Sequence, residues 1–339
     1  MQKEDIRIEA VIVHICDSLV GMPVLSDQVV DFGSEFAEFL REHIYKIISG
    51  DDCKTCTFYK TESEIYKLLE HYEDENFISV SKDIANYLYE IMNSNIEIPA
   101  GDLVVVRFKT GEEQYLALLK MNYKESYTHR SKSEEDGNVN EIIKYKSILP
   151  TESQRLQEAA VINLVDLSVQ LIEKKYEVNG EKTNYFSYLF LKCSSHMSHK
   201  SKLAIVTKAV EAVQRDNFDE TRQYEECMKA KSILDGVLAE QGSFQVEEIA
   251  DKIFEEKPEL KVAFQDKMEK YDLVKEKVEP KSERTIAKYQ KQYLTTDTGI
   301  EIKIPMEQYR DANSVEFITN PDGTTSVLIK NIGHLSAKL

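Results

Sequence analysis

Residues 103–122 constrain the fold more than any other segment. Residues 103–108, centred on Val104, Val105 and Val106, are followed by Thr110-Gly111-Glu112-Glu113 and then by residues 115–122. That order reads as two antiparallel strands joined by a turn. Residues 6–16 supply another strand: Ile6, Ile8, Ala10 and Ile12 alternate, and residues 11–13 make the run apolar on both faces, which places it inside a sheet. Residues 34–48 set Phe36, Phe39, Leu40, Ile44, Ile47 and Ile48 at helical spacing, and residues 63–72 and 83–92 repeat the pattern as covering helices. Residues 1–150 are therefore expected to form an α+β domain, an antiparallel sheet covered by helices.

Further on, residues 131–140 (SKSEEDGNVN) are polar and read as an exposed loop holding Glu134, Glu135 and Asp136, before a strand-like stretch at 141–149. After Pro150, residues 155–171 read as a connecting element. Amphipathic patterns at 202–215, 218–240, 246–255 and 259–270, with Pro258 as a break, predict a mainly helical middle domain over 151–294. In the tail, Ile300, Ile302 and Ile304 alternate, and residues 315–319 and 326–330 flank a turn at Asn320-Pro321-Asp322-Gly323. Residues 295–339 are expected to form a small antiparallel β meander.

Composition bounds the function. The 339 residues are 42% hydrophobic, enough to build cores. No run of 18 uncharged apolar residues occurs, and the first ten residues carry Lys3, Glu4, Asp5, Arg7 and Glu9 where a signal peptide needs an apolar stretch. The expectation is a cytoplasmic protein without a membrane partner. Five cysteines, an odd and sparse set, fit reduced thiols better than a disulfide framework.

The formal net charge is -17, yet residues 182–210 contain no Asp or Glu, although the chain averages about one carboxylate in six residues. The same stretch holds Lys182, Lys192, His196, His199, Lys200, Lys202 and Lys208. A local reversal of sign on an acidic body is a candidate polyanion surface. An ordinary solvated loop is the competing reading. Ser198 or Ser201 could cap a following helix, with Lys200 or Lys202 directed at a phosphate. Lys281, Arg284, Lys288 and Lys291 step by three, four and three, so on one helix they would make a single positive stripe. The alternative there is a solvated helix face.

Enzyme motifs are missing. The chain has no GxGxxG, P-loop, HExxH or GxSxG. Cys53-x-x-Cys56 lacks a second close ligand pair for zinc, and His196-x-x-His199 would gain only Cys193 as a third ligand. His14 and Cys16 are read as strand packing or hydrogen bonding. No cofactor is expected. Two alternatives remain beside DNA binding: an acidic scaffold for protein partners, and a metal-dependent nuclease assembled from scattered carboxylates.

The order of these segments resembles the nucleoid-associated protein family of bacteria, NdpA-type, over nearly the whole chain. The resemblance is carried by IEAVIVHI, GDLVVVRF with QYLALLKMNY, YFSYLFLKCSSHMSHKSKLAIVTKAV, EPKSERTIAKYQKQY and the tail GIEIKIPMEQYRDANSVEFITNPDGTTSVLIKNIG. It implies a non-catalytic, DNA-associated homodimer in the cytoplasm at the nucleoid, with double-stranded DNA as partner. The family tends to have Gly and Arg after the aromatic run and its lysine, where this chain has Lys192-Cys193-Ser194-Ser195. Arg284 and Lys288 match positions that are commonly basic. For assembly, Leu203, Val206, Ala209, Val210 and Val213, with Tyr224, Met228, Ile233, Leu234 and Leu238, offer apolar helical surface to a second copy, unless the monomer buries it internally. Helical or tail surfaces are expected to form the dimer, with two basic grooves turned to a common side.

Overall fold

The computed structural model describes residues 2–18, 21–134, 137–178 and 180–336. The chain divides into two compact units, Met1–Ser198 and His199–Leu339.

Unit 1 contains β1 (Arg7–Cys16), α1 (Ser34–Ile48), β2 (Lys54–Phe58), α2 (Glu64–Glu70), α3 (Phe77–Asn93), β3 (Gly101–Thr110), β4 (Glu113–Asn122), β5 (Lys124–Glu134), β6 (Gly137–Ile148), β7 (Glu158–Asn163), β8 (Val169–Ile172), β9 (Tyr176–Val178), β10 (Glu181–Thr183) and β11 (Cys193–Ser195). Seven strands form one antiparallel sheet in the order β1-β3-β4-β7-β8-β2-β11. Alternation along the central strands explains why their sequence is apolar throughout. Leu103, Val105, Leu116, Leu118, Ala160 and Ile162 pack with Ile84, Leu88 and Met92 of α3. Val104, Val106, Ala117, Leu119, Ala159 and Val161 pack with Leu40, Ile44 and Ile47 of α1. Each such Val, Leu or Ile contributes roughly 1.5–3 kcal/mol relative to exposure. The β3–β4 turn needs Gly111, whose φ of 60° lies in the left-handed region. Lys120 and Glu158, both with fully buried side chains, face each other on β4 and β7 with Nζ and Oε2 3.8 Å apart. Lys120 Nζ also donates to the Pro99 carbonyl (2.8 Å) and to Asn122.

Three expectations change. Residues 155–171 are not a connector: β7 and β8 are inner strands, and the short run Ala159 to Ile162 is sandwiched between α1 and α3. The sheet therefore extends unit 1 past residue 150, to Ser198. Residues 131–134 and 137–140 are not a loop but the far halves of β5 and β6, exposed at 131–133 and 137–140, where Ser131 pairs with Asn140 and Ser133 with Asn138 through backbone and side chains. With no face buried there, the apolar alternation that marks a strand is absent. Glu135 and Asp136 lie outside the described residues.

Unit 2 contains α4 (His199–Asn217), α5 (Glu220–Gln241), β12 (Phe244–Gln245), α6 (Val246–Ile253), α7 (Pro258–Glu269), β13 (Lys277–Val278), α8 (Glu283–Ile286), β14 (Lys291–Thr295), β15 (Glu301–Pro305), α9 (Met306–Arg310), β16 (Val315–Thr319) and β17 (Thr325–Ile329). Pro258 opens α7 at its first turn, where its missing N–H is harmless. One core holds Leu203, Val206, Val210 and Val213 of α4 against Leu234 and Leu238 of α5 and Phe264 and Met268 of α7. The α4 face offered for dimerisation is thus consumed inside unit 2. The tail is part of the same unit, because β14 pairs with β15 across residue 295 and Gln292 is buried against the Met228 carbonyl. The overall class is α+β: an N-terminal antiparallel sheet with helices, a helical middle and small C-terminal antiparallel sheets.

Candidate nucleic-acid interface

The basic segment 182–210 is divided by the unit boundary. On unit 1, Lys182 is exposed on β10, and Lys192 is half-buried with a left-handed φ of 48° at the end of a π-helical turn. The Lys192 carbonyl accepts from the Tyr59 amide (2.9 Å), and the exposed His196 donates its own amide to the Thr55 carbonyl (2.9 Å), so both residues are pinned along β2 by backbone.

On unit 2, α4 runs beside the second basic segment. The Glu279 amide donates to His199 Nδ1 (3.1 Å), Lys202 Nζ contacts Glu276 Oε2 (2.6 Å), and the Thr207 and Tyr289 hydroxyls are 3.0 Å apart. These three contacts lay α4, which carries Lys200 and Lys208, against the segment 276–289. Lys200, Lys208, Lys281, Arg284 and Lys288 are exposed, whereas Lys202 is buried. The stripe has a different geometry from the expected one. Only Glu283–Ile286 is helical and Lys291 begins β14, so Lys281, Arg284, Lys288 and Lys291 do not share a helix face. The helix breaks after Ile286 because Gln292 and its neighbours join a sheet.

Carboxylates temper this surface. Glu276 neutralises Lys202, and Lys277 bonds Glu279 (2.9 Å), a hydrogen bond that holds the Glu279 carboxyl below its ordinary range. The absence of acids within 182–210 was legible in sequence, but Glu276 and Glu279 arrive from a distant segment. Sequence reasoning also missed Lys231 and Lys303, whose ammonium groups lie 5.2 and 5.4 Å from the ring centroid of Tyr293. Lys303 is the direct partner of Tyr293 in the β14–β15 register, whereas Lys231 arrives from α5 with no signal in the linear sequence.

The remaining candidates are structural. His14 is buried, accepts from the Ser26 amide at Nδ1 (3.2 Å) and lies 3.0 Å from Ser81 Oγ through Nε2. Cys56 and Cys193 are buried on neighbouring strands with their thiols hydrogen-bonded, which, with burial, pushes the Cys56 thiol up. Among the described residues no group of three His, Cys, Asp or Glu side chains is placed to hold a metal ion. Among them, too, no helix is long and apolar enough to cross a membrane.

No curated protein matches this chain. The family described as nucleoid-associated protein YejK matches residues 12–335, a description by association with the nucleoid rather than by a reaction, and naming YejK rather than NdpA. With nearly all of both units inside that match, the chain belongs to the YejK nucleoid-associated protein family.

Proposed function

We propose that the chain binds double-stranded DNA without base-specific chemistry, through the unit 2 surface carrying Lys200, Lys208, Lys281, Arg284 and Lys288. The observation that carries this reading is the run of contacts from His199 to Glu279 and from Thr207 to Tyr289, which sets two basic segments side by side. Lysine and arginine contacts to phosphate position a duplex without reading its sequence. On an acidic body such binding is weak and steeply salt-dependent. Lys182, Lys192 and His196 remain candidates on unit 1. Lys202 is buried against Glu276 and His199 accepts from the Glu279 amide, so both are engaged within the fold, while the half-buried Lys291 remains a candidate. We place the protein in the cytoplasm at the nucleoid.

The test titrates labelled duplexes of unrelated sequence at several low salt concentrations. Replacing Lys200 and Lys288 by Glu weakens binding to all of them and lowers the salt slope by about one for each phosphate that is no longer neutralised. A wild-type chain that associates with no duplex ends this reading.

We further propose a two-fold homodimer that sets two weak basic surfaces on one duplex. With the α4 face buried, the tail supplies the surface: Ile318, Leu328, Ile329, Ile332 and Leu335 are exposed. Light scattering across a tenfold dilution gives twice the monomer mass; a persistent monomer at micromolar concentration removes the dimer.

One observation favours protein partners as a second reading. A surface depression of about 750 Å³ on unit 1 is lined by Glu35, Glu38, Glu42 and Glu152 beside Phe36, Phe39 and Lys3; Lys3 already pairs with Glu38 and Glu42, so a basic peptide there would meet Glu35 and Glu152 and compete with Lys3 for the other two. Partners retained equally after nuclease treatment support it, and partners released with the DNA oppose it.

A further inference from the structure

Unit 2 carries an open pocket of about 390 Å³ between α4, α5 and residues 288–294. Its volume falls within the roughly 300–1,000 Å³ of small-ligand pockets. Val210, Met228 and Leu234 make an apolar floor, all of them buried. Tyr224, Tyr289 and Tyr293 stand on the walls with Lys231, Lys288 and Glu211. Tyr293 is 58% exposed, so part of it is open to a ligand, and the Lys231 and Lys303 ammonium groups lying over its ring make its surroundings positive.

Lys231 is half-buried, and burial pushes its ammonium below the ordinary lysine range against the opposing pull of Asp235 and Glu211. One of its N–H groups goes to the Lys291 carbonyl (2.6 Å), and an ammonium has further donors to offer an anion. The wall is fixed by the Thr207–Tyr289 hydroxyl pair and by the Cys227 thiol, which lies 2.8 Å from Gln214 Oε1. A planar ring beside a negative group is what such a site complements. A metal ion is not, since one carboxylate stands among two lysines. In a duplex each base is covered by its neighbours, so only an unpaired base reaches an aromatic ring in a concave site.

We infer that this cavity takes one nucleotide of a single-stranded nucleic acid, its base against Tyr293 and its phosphate held by Lys231 and Lys288. The inference rests on the reading of unit 2 as a nucleic-acid surface and adds the substrate class: the same surface that tracks a duplex backbone by charge alone captures a base where the strands separate. Arg284, exposed four residues before the pocket-lining Lys288, offers charge for a flanking phosphate, which gives an oligonucleotide an advantage over a free nucleotide.

The experiment uses the full chain, a labelled oligothymidine, a duplex of equal length and thymidine monophosphate. Tyr293→Ala lowers oligothymidine affinity by roughly tenfold, the loss of one stacked base, and leaves duplex affinity within about twofold. In the wild type, bound oligothymidine slows alkylation of Cys227, which lines the cavity, and leaves the half-buried Cys53 of unit 1 unchanged. Oligothymidine binding that ignores Tyr293→Ala, or full reactivity of Cys227 at saturation, overturns the inference. Duplex binding without oligothymidine binding overturns it while the proposed function stands; binding of neither removes both. Protection of Cys227 by thymidine monophosphate at the same concentration assigns the cavity to a free nucleotide and overturns the single-stranded assignment.

Discussion

Lys202 Nζ lies 2.6 Å from Glu276 Oε2, with only 11% of the lysine side chain exposed, so Lys202 ties α4 to the segment before β13 while its neighbour Lys200 faces solvent. The two lysines separate in a paired test. Lys200→Glu weakens duplex binding with an unchanged melting temperature. Lys202→Glu sets two carboxylates together and lowers the stability of unit 2 by about 1–2 kcal/mol. Urea melts beside binding isotherms check this, and identical behaviour of the two variants contradicts it.

The buried pair of Lys120 and Glu158 behaves differently from its parts. Burial pulls the Lys120 ammonium down to about 8, against the opposing charge of Glu158. Lys120→Met leaves the Glu158 carboxylate buried and uncompensated, at a cost of about 3–5 kcal/mol, whereas adding Glu158→Leu recovers most of it. Equilibrium denaturation of the single and double variants decides: equal losses in both would refute the pairing.

Acid sensitivity follows from two buried histidines. Burial, with a neighbouring lysine charge in each case, lowers His14 and His43 from 6.5 to about 4. Both are neutral in the fold near pH 7, so the unfolded chain binds more protons between pH 6.5 and 4. Stability therefore falls as pH drops through that window. Protonated His14 could no longer accept from the Ser26 amide. Urea midpoints from about pH 7.5 to about pH 4.5 give the slope, and His14→Gln flattens it; a variant as acid-sensitive as the wild type would exclude His14 as a contributor.

Gly101 opens β3 against β4. A Cβ there would fall on the Met121 carbonyl oxygen and lie 2.9 Å from Asn122 Cα, so backbone, not a flexible side chain, has to move. Gly101→Ala destabilises unit 1 by about 1–3 kcal/mol. The urea midpoint shifts and the slope does not; an unshifted midpoint would mean that the strands separate without penalty.

The sequence disclosed most where burial writes a pattern. α1 begins and ends at the residues its spacing indicated, and the β3–β4 hairpin follows from its valines and Gly111. Burial on neither face hid the β5–β6 hairpin, and the short run Ala159 to Ile162 of β7 lacked the length to declare itself. The site was half legible: the excess of lysine is a linear property, but the answering Glu276 and the Tyr293 surroundings depend on residues that only folding brings together. A helical stripe over 281–291 was undone because Lys291 pairs with Pro305, a partner outside any helical period.

The strand order of unit 1 also sets a timetable for synthesis. β2 ends at Phe58, yet its two neighbours are β8, which starts at Val169, and β11, which starts at Cys193. A nascent chain carries β2 without either partner while more than a hundred residues are added, and loops of that length close slowly. Only three residues separate the end of the last strand from the start of unit 2. Unit 1 can close only once β11 has left the ribosome, by which time synthesis has passed into unit 2, so both edges of β2 stay unpaired until then.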